Sequence, residues 1–475
     1  MIPILSGNVA SAFPSGYEIA NSCRFNSGDS PSLKDGDGSA PAGNRQKFTF
    51  SVWFKRAKLG VTQMFAASAH SSSDEGYLYI SGGDVLVWHH SSSGMGQMIT
   101  NQKFRDVGAW YHLVWAVDTT QASAGNRMKF YINGTQITSW ATETQPDEDK
   151  ELYWNVGGTY YPWIGRRHGG DYFDGYMAEV VHIDNAQLAA TSFGEFDEDS
   201  PTIWKPKDPS GLTFGTAGYW LDFEDSSNLG KDVSGQGNHF GTVANLAAID
   251  QATDTPTNNF CVMNSLDNYI ASSTFSEGNL KIVTPSSNYQ YNTGTFGLTA
   301  GKWYFEMKMT TNATGDFVGI AGRVCGGALH MAGYYNDTWA YSSYDGKYFT
   351  NNTGSSYGDS WATDDTIIGV YIDLDNNKLY FAKNGTVQNS GTGISITDPA
   401  SVTNGAYHPS VGDNWNGDSG TYHMNFGNPT YALSSAQSDT NGYGSFEYDP
   451  SSGTFDGSSK DFLAICSKNL GSDGG

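Results

Sequence analysis

The chain is poor in thiols, in cations and in long apolar runs. Its 475 residues hold four cysteines, Cys23, Cys261, Cys325 and Cys466, scattered and with no Cys-x-x-Cys pair. That spacing argues against a disulfide framework and against a zinc site. Lys plus Arg number 26 against 49 Asp plus Glu, a formal charge of −23. An acidic surface repels phosphate backbones, so nucleic acid is not an expected partner. No apolar stretch reaches about 18 residues, so no membrane-spanning helix is expected. The first residues, Met-Ile-Pro-Ile-Leu-Ser-Gly-Asn, lack the basic n-region of a secretion signal. Synthesis in a cytoplasm is therefore expected, with any external role reached by lysis or as part of a particle. Charged residues are only 16%, and long helices rich in Ala, Glu, Lys and Leu are missing.

What is present is aromatic and turn-rich: 14% Phe, Trp and Tyr, and 58 glycines. Short aromatic and β-branched runs punctuated by Gly, Asn, Asp and Ser imply an all-β protein. The clearest run spans residues 367–386. Ile368, Val370, Ile372 and Leu374 alternate with Gly369, Tyr371 and Asp373, the period of a strand with one buried face. Asp375 to Asn377 turn the chain, Leu379 to Lys383 return, and Asn384-Gly385 turn it again. The same object occurs earlier, with strands Tyr111–Asp118 and Met128–Thr135. Both copies end in Asn-Gly-Thr. Two copies of one hairpin imply two β-domains of related architecture.

Taken in order, residues 1–20 show no periodicity and read as a tail. Strands follow at sandwich spacing: Gln46–Lys55, Gln63–Ala67, Tyr77–Ser81, Val85–His89, Trp110–Asp118, Met128–Thr135, Tyr161–Gly165 and Tyr172–Ile183. Residues 201–258 read either as a connector or as a strand returning to the first sandwich. A second strand set occupies 259–432, and 433–475 is a C-terminal extension whose apolar residues are expected to add one strand.

Phe48-Thr-Phe-Ser-Val-Trp-Phe-Lys-Arg56, Trp110-Tyr-His-Leu-Val-Trp115, Phe130-Tyr-Ile-Asn-Gly134, Trp163-Ile-Gly165 and Phe173-Asp-Gly-Tyr-Met-Ala-Glu-Val180 occur in this order. With them, residues 21–200 resemble a laminin-G-like domain of the concanavalin A-like lectin class. Gly301-Lys-Trp-Tyr-Phe-Glu-Met-Lys308, the hairpin at 367–385, His408-Pro-Ser-Val-Gly412 and Met424-Asn-Phe-Gly427 resemble a SPRY domain. The resemblance implies two antiparallel β-sandwiches in tandem that bind rather than catalyse. The wording of the motifs is similar to versions in tailed-phage virion proteins. That implies a tail-fibre or receptor-binding adhesin, trimeric by the habit of fibres, which contacts host-surface glycan or protein. The alternative is a capsid decoration or head-fibre protein that binds other virion subunits, and a glucanase-type hydrolase comes third.

The residues most suggestive of chemistry are Glu195-Phe-Asp-Glu-Asp199, which mimic the alternating carboxylates of a glucanase strand. The last is Asp rather than Glu, and the stretch lies in an expected linker, so no catalytic residue is assigned. Asp373-Leu-Asp-Asn-Asn377 lacks the glycine and distal Glu of a calcium loop. Asp35 and Asp37, and the pair Asp171 and Asp174, are the candidate cation ligands, for calcium if for anything. For ligand binding the candidates are Tyr160, Trp163 and Arg166 in the first domain, and Trp339, Asn414 and Trp415 in the second. Trp and Tyr there offer flat faces with a polar edge, suited to sugars and to protein hot spots.

Overall fold

The computed structural model describes residues 4–5, 16–35, 40–71, 74–90, 92–268, 272–286, 289–325, 330–414, 417–456 and 460–472. The chain is all-β and divides into two compact units, Pro14–Thr257 and a second formed by Met1–Phe13 with Asn258–Gly475. Among the described residues no helix is long and apolar enough to cross a membrane.

The first unit is a sandwich of two sheets. Sheet I runs Thr135–Gln136, Met128–Ile132, Trp110–Asp118, Lys47–Arg56, Gly175–Asp184, Ser22–Phe25 and Gln251–Ala252, with Tyr219–Leu221 also on Gly175–Asp184. Sheet II runs Trp140–Thr144, Gln97–Lys103, Val85–His90, Asp74–Ile80, Gln63–Ser71, Tyr161–Ile164, Ser32–Lys34 and Thr242–Ala244. The alternation of each strand sends one side inward. Phe48, Phe50, Val52, Leu78, Leu86, Leu113 and Ile164 meet in one core. Trp88, Trp115 and Trp154 sit at its heart, with ring centroids 4.3 Å apart for Trp88–Trp115 and 5.1 Å for Trp115–Trp154. Residues 201–257 are not a free connector. They give strands to both sheets, at Tyr219–Leu221, Thr242–Ala244 and Gln251–Ala252.

The acidic stretch at 195–199 is also not a linker. Gly194–Phe196 pairs with Trp204–Pro206 as a hairpin. Asp197 accepts the backbone N–H of Asp199 and Ser200, and Lys205 lies 3.7 Å from Glu195 and 3.5 Å from Asp197. Glu195, Glu198 and Asp199 face solvent.

The second unit repeats the plan. Sheet III centres on Lys302–Thr311, flanked by Thr421–Asn425 and Ile367–Asp373, and sheet IV centres on Asp316–Ala321 between His408–Asp413 and Thr338–Ser342. The hairpin read at 367–385 is present, Ile367–Asp373 against Lys378–Lys383. Its second face differs from expectation. Tyr371, read as outward, is fully buried with Tyr304 and Tyr380 against Phe446, Phe455 and Phe462. The C-terminal segment lies over the outer face of sheet III. It adds the strand Leu463–Ala464, parallel to Lys302–Thr311, and a short helix Ser467–Ser472.

Glu306 is the polar anchor of that cover. Its carboxylate, fully buried, accepts the backbone N–H of Glu447 at 2.9 Å and of Tyr448 at 2.8 Å, with Tyr304 Oη at 3.0 Å and Asn425 Nδ2 at 3.2 Å. A buried carboxylate is tolerable only with such a set of donors.

The two Asn-Gly turns match in detail. Asn133 and Gly134 have φ of 46° and 77°, and Asn384 and Gly385 have φ of 46° and 77°. Positive φ at both central residues is what a two-residue hairpin turn requires and what Asn-Gly supplies. In each, the Asn carbonyl oxygen accepts an N–H from the neighbouring strand, His112 at 2.7 Å and Ile367 at 2.9 Å. In each, an aromatic ring roofs the glycine. A Cβ there would meet Trp204 at 2.3 Å and Tyr448 at 2.5 Å.

Candidate functional site

Sheet II turns its core residues inward, so the alternate positions form an outer face. Register places one row straight across it. Lys34 faces Trp163, Trp163 faces Ala67, Ala67 faces Tyr77, and Tyr77 faces His89. Strands stand about 4.8 Å apart, so five positions span roughly 20 Å. Tyr161 and Tyr79 lie on the same face, two residues along their strands. Ala67 is buried beneath its neighbours, and the rings and cations around it are half-buried.

Cations are laid on these rings. Lys34 Nζ lies 3.8 Å from the Tyr161 centroid and 5.4 Å from that of Trp163. Arg166 stacks 4.5 Å from Trp163 and 5.3 Å from Tyr172. Arg167 lies 5.6 Å from Tyr77 and is held by Glu75 at 3.0 Å and Asp171 at 2.7 Å. Tyr77 packs on Tyr79 and on His89, with centroids 5.4 and 5.1 Å away. Burial raises the phenol pKa of both tyrosines and lowers that of His89, so these groups are neutral near pH 7. The face therefore offers neutral hydrogen-bonding rings at one end, where Arg167 is paired with Glu75 and Asp171, and the cations Lys34 and Arg166 at the other.

Of the residues singled out from sequence, Trp163 and Arg166 come together here. Tyr160 does not join them. It stacks on Tyr153, centroids 5.9 Å apart, beside a small recess lined by Asp35, Trp154, Asn155 and Tyr219. Trp339, expected on an exposed loop, is a core residue at 4% exposure. It lies on Thr338–Ser342 opposite Ile320 and meets the edge of Tyr407. The alternation Trp339-Ala-Tyr341 puts both rings inward, and that period carried the signal. Asn414 follows the strand His408–Asp413 and sends Nδ2 to Met331 Sδ at 3.4 Å. Trp415 lies outside the described residues, as does Asp37.

The candidate cation ligands are dispersed. Asp171 holds Arg167. Asp174 accepts Ser27 Oγ at 2.5 Å and Ser27 N at 3.1 Å. Asp35 is buried, and that burial, with the charge of Asp232, pushes its carboxyl up to about 6. Among the described residues no three Asp, Glu, His or Cys side chains are grouped to hold a metal. Calcium takes about six to eight oxygens, and the described residues do not fit it.

One arrangement has the look of a nucleophile and base. Ser51 Oγ lies 2.8 Å from His112 Nε2, both fully buried on sheet I. Trp204 Nε1 donates to His112 Nδ1 at 2.9 Å, so Nδ1 carries the lone pair and Nε2 carries the proton. His112 thus donates to Ser51 and cannot accept its proton, the reverse of what general-base activation needs. Burial holds the imidazole neutral, with its pKa lowered to about 3.

Sequence reasoning missed Lys34, Tyr77, Tyr79 and His89. The signal was there. Tyr77-Leu-Tyr79 alternates aromatic residues with a core residue, and His89 follows the core residue Trp88, which marks strands with a worked outer face.

Comparison with known proteins gives the two domain types. The concanavalin A-like lectin/glucanases superfamily matches residues 28–190, and the SPRY domain matches residues 302–428. A concanavalin A-like domain and a SPRY domain are present, both of binding type. Ran-binding protein 9 of Danio rerio is 31% identical over 100 residues, which is 21% of this chain and 16% of that protein. The chain thus aligns with about a sixth of the length of that relative. Among solved structures, the SPRY domain of human HERC1 is similar at 18% identity and a TM-score of 0.25, covering 30% of this chain and 87% of that one. A heptameric SAP-like pentraxin from Limulus polyphemus is similar at 15% identity and a TM-score of 0.26, covering 36% and 80%.

Proposed function

We propose that this chain is a non-enzymatic adhesin that holds a glycan on the outer face of sheet II. The observation that carries the reading is the row Lys34–Trp163–Ala67–Tyr77–His89, aligned by register across four strand pairs. A row of rings with a buried alanine in its middle is an extended platform. Aromatic rings with polar edges bind sugar rings and peptide hot spots alike, and the lectin-like domain type favours sugar. The SPRY sandwich supplies a second surface, for protein. The Ser51–His112 tautomer supports binding over hydrolysis.

The setting we propose is the virion of a tailed phage, as a tail-fibre or receptor-binding protein, made in the host cytoplasm and trimeric. The wording of the sequence motifs supports it. Binding of the intact chain to a glycan microarray tests the ligand class. Tyr77→Ala is expected to lower affinity by about tenfold, the loss of one well-packed contact ring. Unchanged binding in that variant, with its melting temperature intact, would remove this face from the account. Labelled particles imaged by electron microscopy test the setting, and label on the head rather than the tail would favour the decoration role.

A further inference from the structure

The two ends of the row differ in charge, and the difference specifies a ligand. At one end stand Tyr77, Tyr79 and His89, all neutral near pH 7. At the other, Lys34 and Arg166 converge on one indole, that of Trp163, at 5.4 and 4.5 Å from its centroid. Neither cation has a carboxylate partner among the described residues, whereas Arg167, over Tyr77 at the other end, is matched by two. Arg166 sends Nε to the carbonyl of Arg167 at 3.1 Å and Nη2 to that of His168 at 3.3 Å. These bonds fix the guanidinium, and among the described residues neither hydrogen of Nη1 has an acceptor. Lys34 Nζ makes no hydrogen bond to a described residue and is held only by its ring contacts.

A fixed guanidinium and an ammonium held against one ring form a clamp for an anion. In a chain of charge −23 that placement is local and works against the overall field. Charge-assisted hydrogen bonds are short and about twice as strong as neutral ones. The ring contacts hold both cations in place, so little side-chain freedom is lost when the anion arrives.

We propose that the Lys34–Trp163–Arg166 end of sheet II binds the acidic group, carboxylate or sulfate, of a charged glycan. Neutral rings of the same glycan continue along Tyr77 and Tyr79. This rests on the glycan-binding reading above and adds to it a ligand charge and a direction.

The test uses the intact chain on an array of neutral, uronate-, sialate- and sulfate-bearing glycans. Each hit is then measured in solution with the native chain and with Lys34→Gln, Arg166→Gln, the double variant and Trp163→Phe. The expected result is binding confined to acidic glycans, with affinity down at least tenfold in Lys34→Gln and in Arg166→Gln. The double variant should fall to the level of the neutral glycans, and Trp163→Phe should lose less than either. Carboxyl reduction of a uronate hit should mimic the double variant, whereas a sulfated hit should be insensitive to it, which separates the two anions. Neutral glycans bound as tightly as acidic ones would overturn the clamp and leave the glycan-binding face standing. So would acidic hits indifferent to the double variant. No glycan bound at all would overturn both.

Discussion

At the scale of single residues, three buried titratable groups, one carboxyl and two imidazoles, set opposite limits on the first unit. Glu179 sits in a bulge of Gly175–Asp184 with φ of 49°, and accepts Tyr17 Oη at 3.0 Å and Trp220 Nε1 at 2.6 Å. Burial outweighs those donors and pushes its carboxyl from 4.5 up to about 8. The folded state therefore binds the proton more tightly than the unfolded one. Stability from this group is complete below about 4.5 and is lost as pH rises through about 8. His112 and His182 work the other way. Burial lowers them from 6.5 to about 3 and about 4, so stability is lost as pH falls below 6.5. The two windows overlap between 4.5 and 6.5, where the two histidines outweigh the one carboxyl, so the first unit should be most stable near pH 6.5. Melting temperature against pH should fall between pH 6.5 and 9, and Glu179→Gln should flatten that limb by an amount of order a few kcal/mol. A limb that stays steep in the variant would assign the dependence elsewhere.

At the scale of the element, the two hairpins show what the sequence discloses. Period-2 alternation and Asn-Gly located both, because turn chemistry and strand alternation are local properties. The roofs over the turns were not legible. Trp204 over Gly134 and Tyr448 over Gly385 come from residues some 60 to 70 positions away, and nothing local announces them. The same distance explains Tyr371, which read as outward until the C-terminal cover was in place. It explains the site as well. Trp163 and Arg166 could be picked out as neighbours in sequence, but the row they join needs four strand registers. A side chain at either turn glycine must both hold positive φ and displace a ring. Gly134→Ala and Gly385→Ala should each destabilise their own unit by about 2–4 kcal/mol, summing left-handed strain of about 1 and overpacking of 1–3. Chemical denaturation with tryptophan fluorescence measures this. Variants as stable as the native chain would mean that the rings move aside freely.

At the scale of the whole molecule, each unit is closed by residues late in its own span. In the first, Thr257 Oγ1 donates to the Ile19 carbonyl at 3.1 Å, and Lys55 meets Asp254 at 2.8 Å in the interior. Entry and exit thus lie side by side, the arrangement of a module that folds by itself. Residues 16–257 expressed alone should melt in one cooperative transition. In the second, Glu306→Ala would strip the acceptor from the N–H groups of Glu447 and Tyr448. We expect a loss on the order of 3 kcal/mol or more and early proteolytic cleavage between 433 and 456. Resistance equal to that of the native chain would show that Phe446, Phe455 and Phe462 hold the cover without it.

That cover has a consequence for the order of events during synthesis. Lys302–Thr311 and Ile367–Asp373 leave the ribosome well before Phe446, Phe455 and Phe462 do. Until those three arrive, Tyr304, Tyr371 and Tyr380 lack their cover and Glu306 has no backbone donors from the C-terminal segment. The nascent second unit therefore passes through a sticky interval whose length is set by translation speed, and a chaperone that shields tyrosine-rich sheet faces would act in that interval.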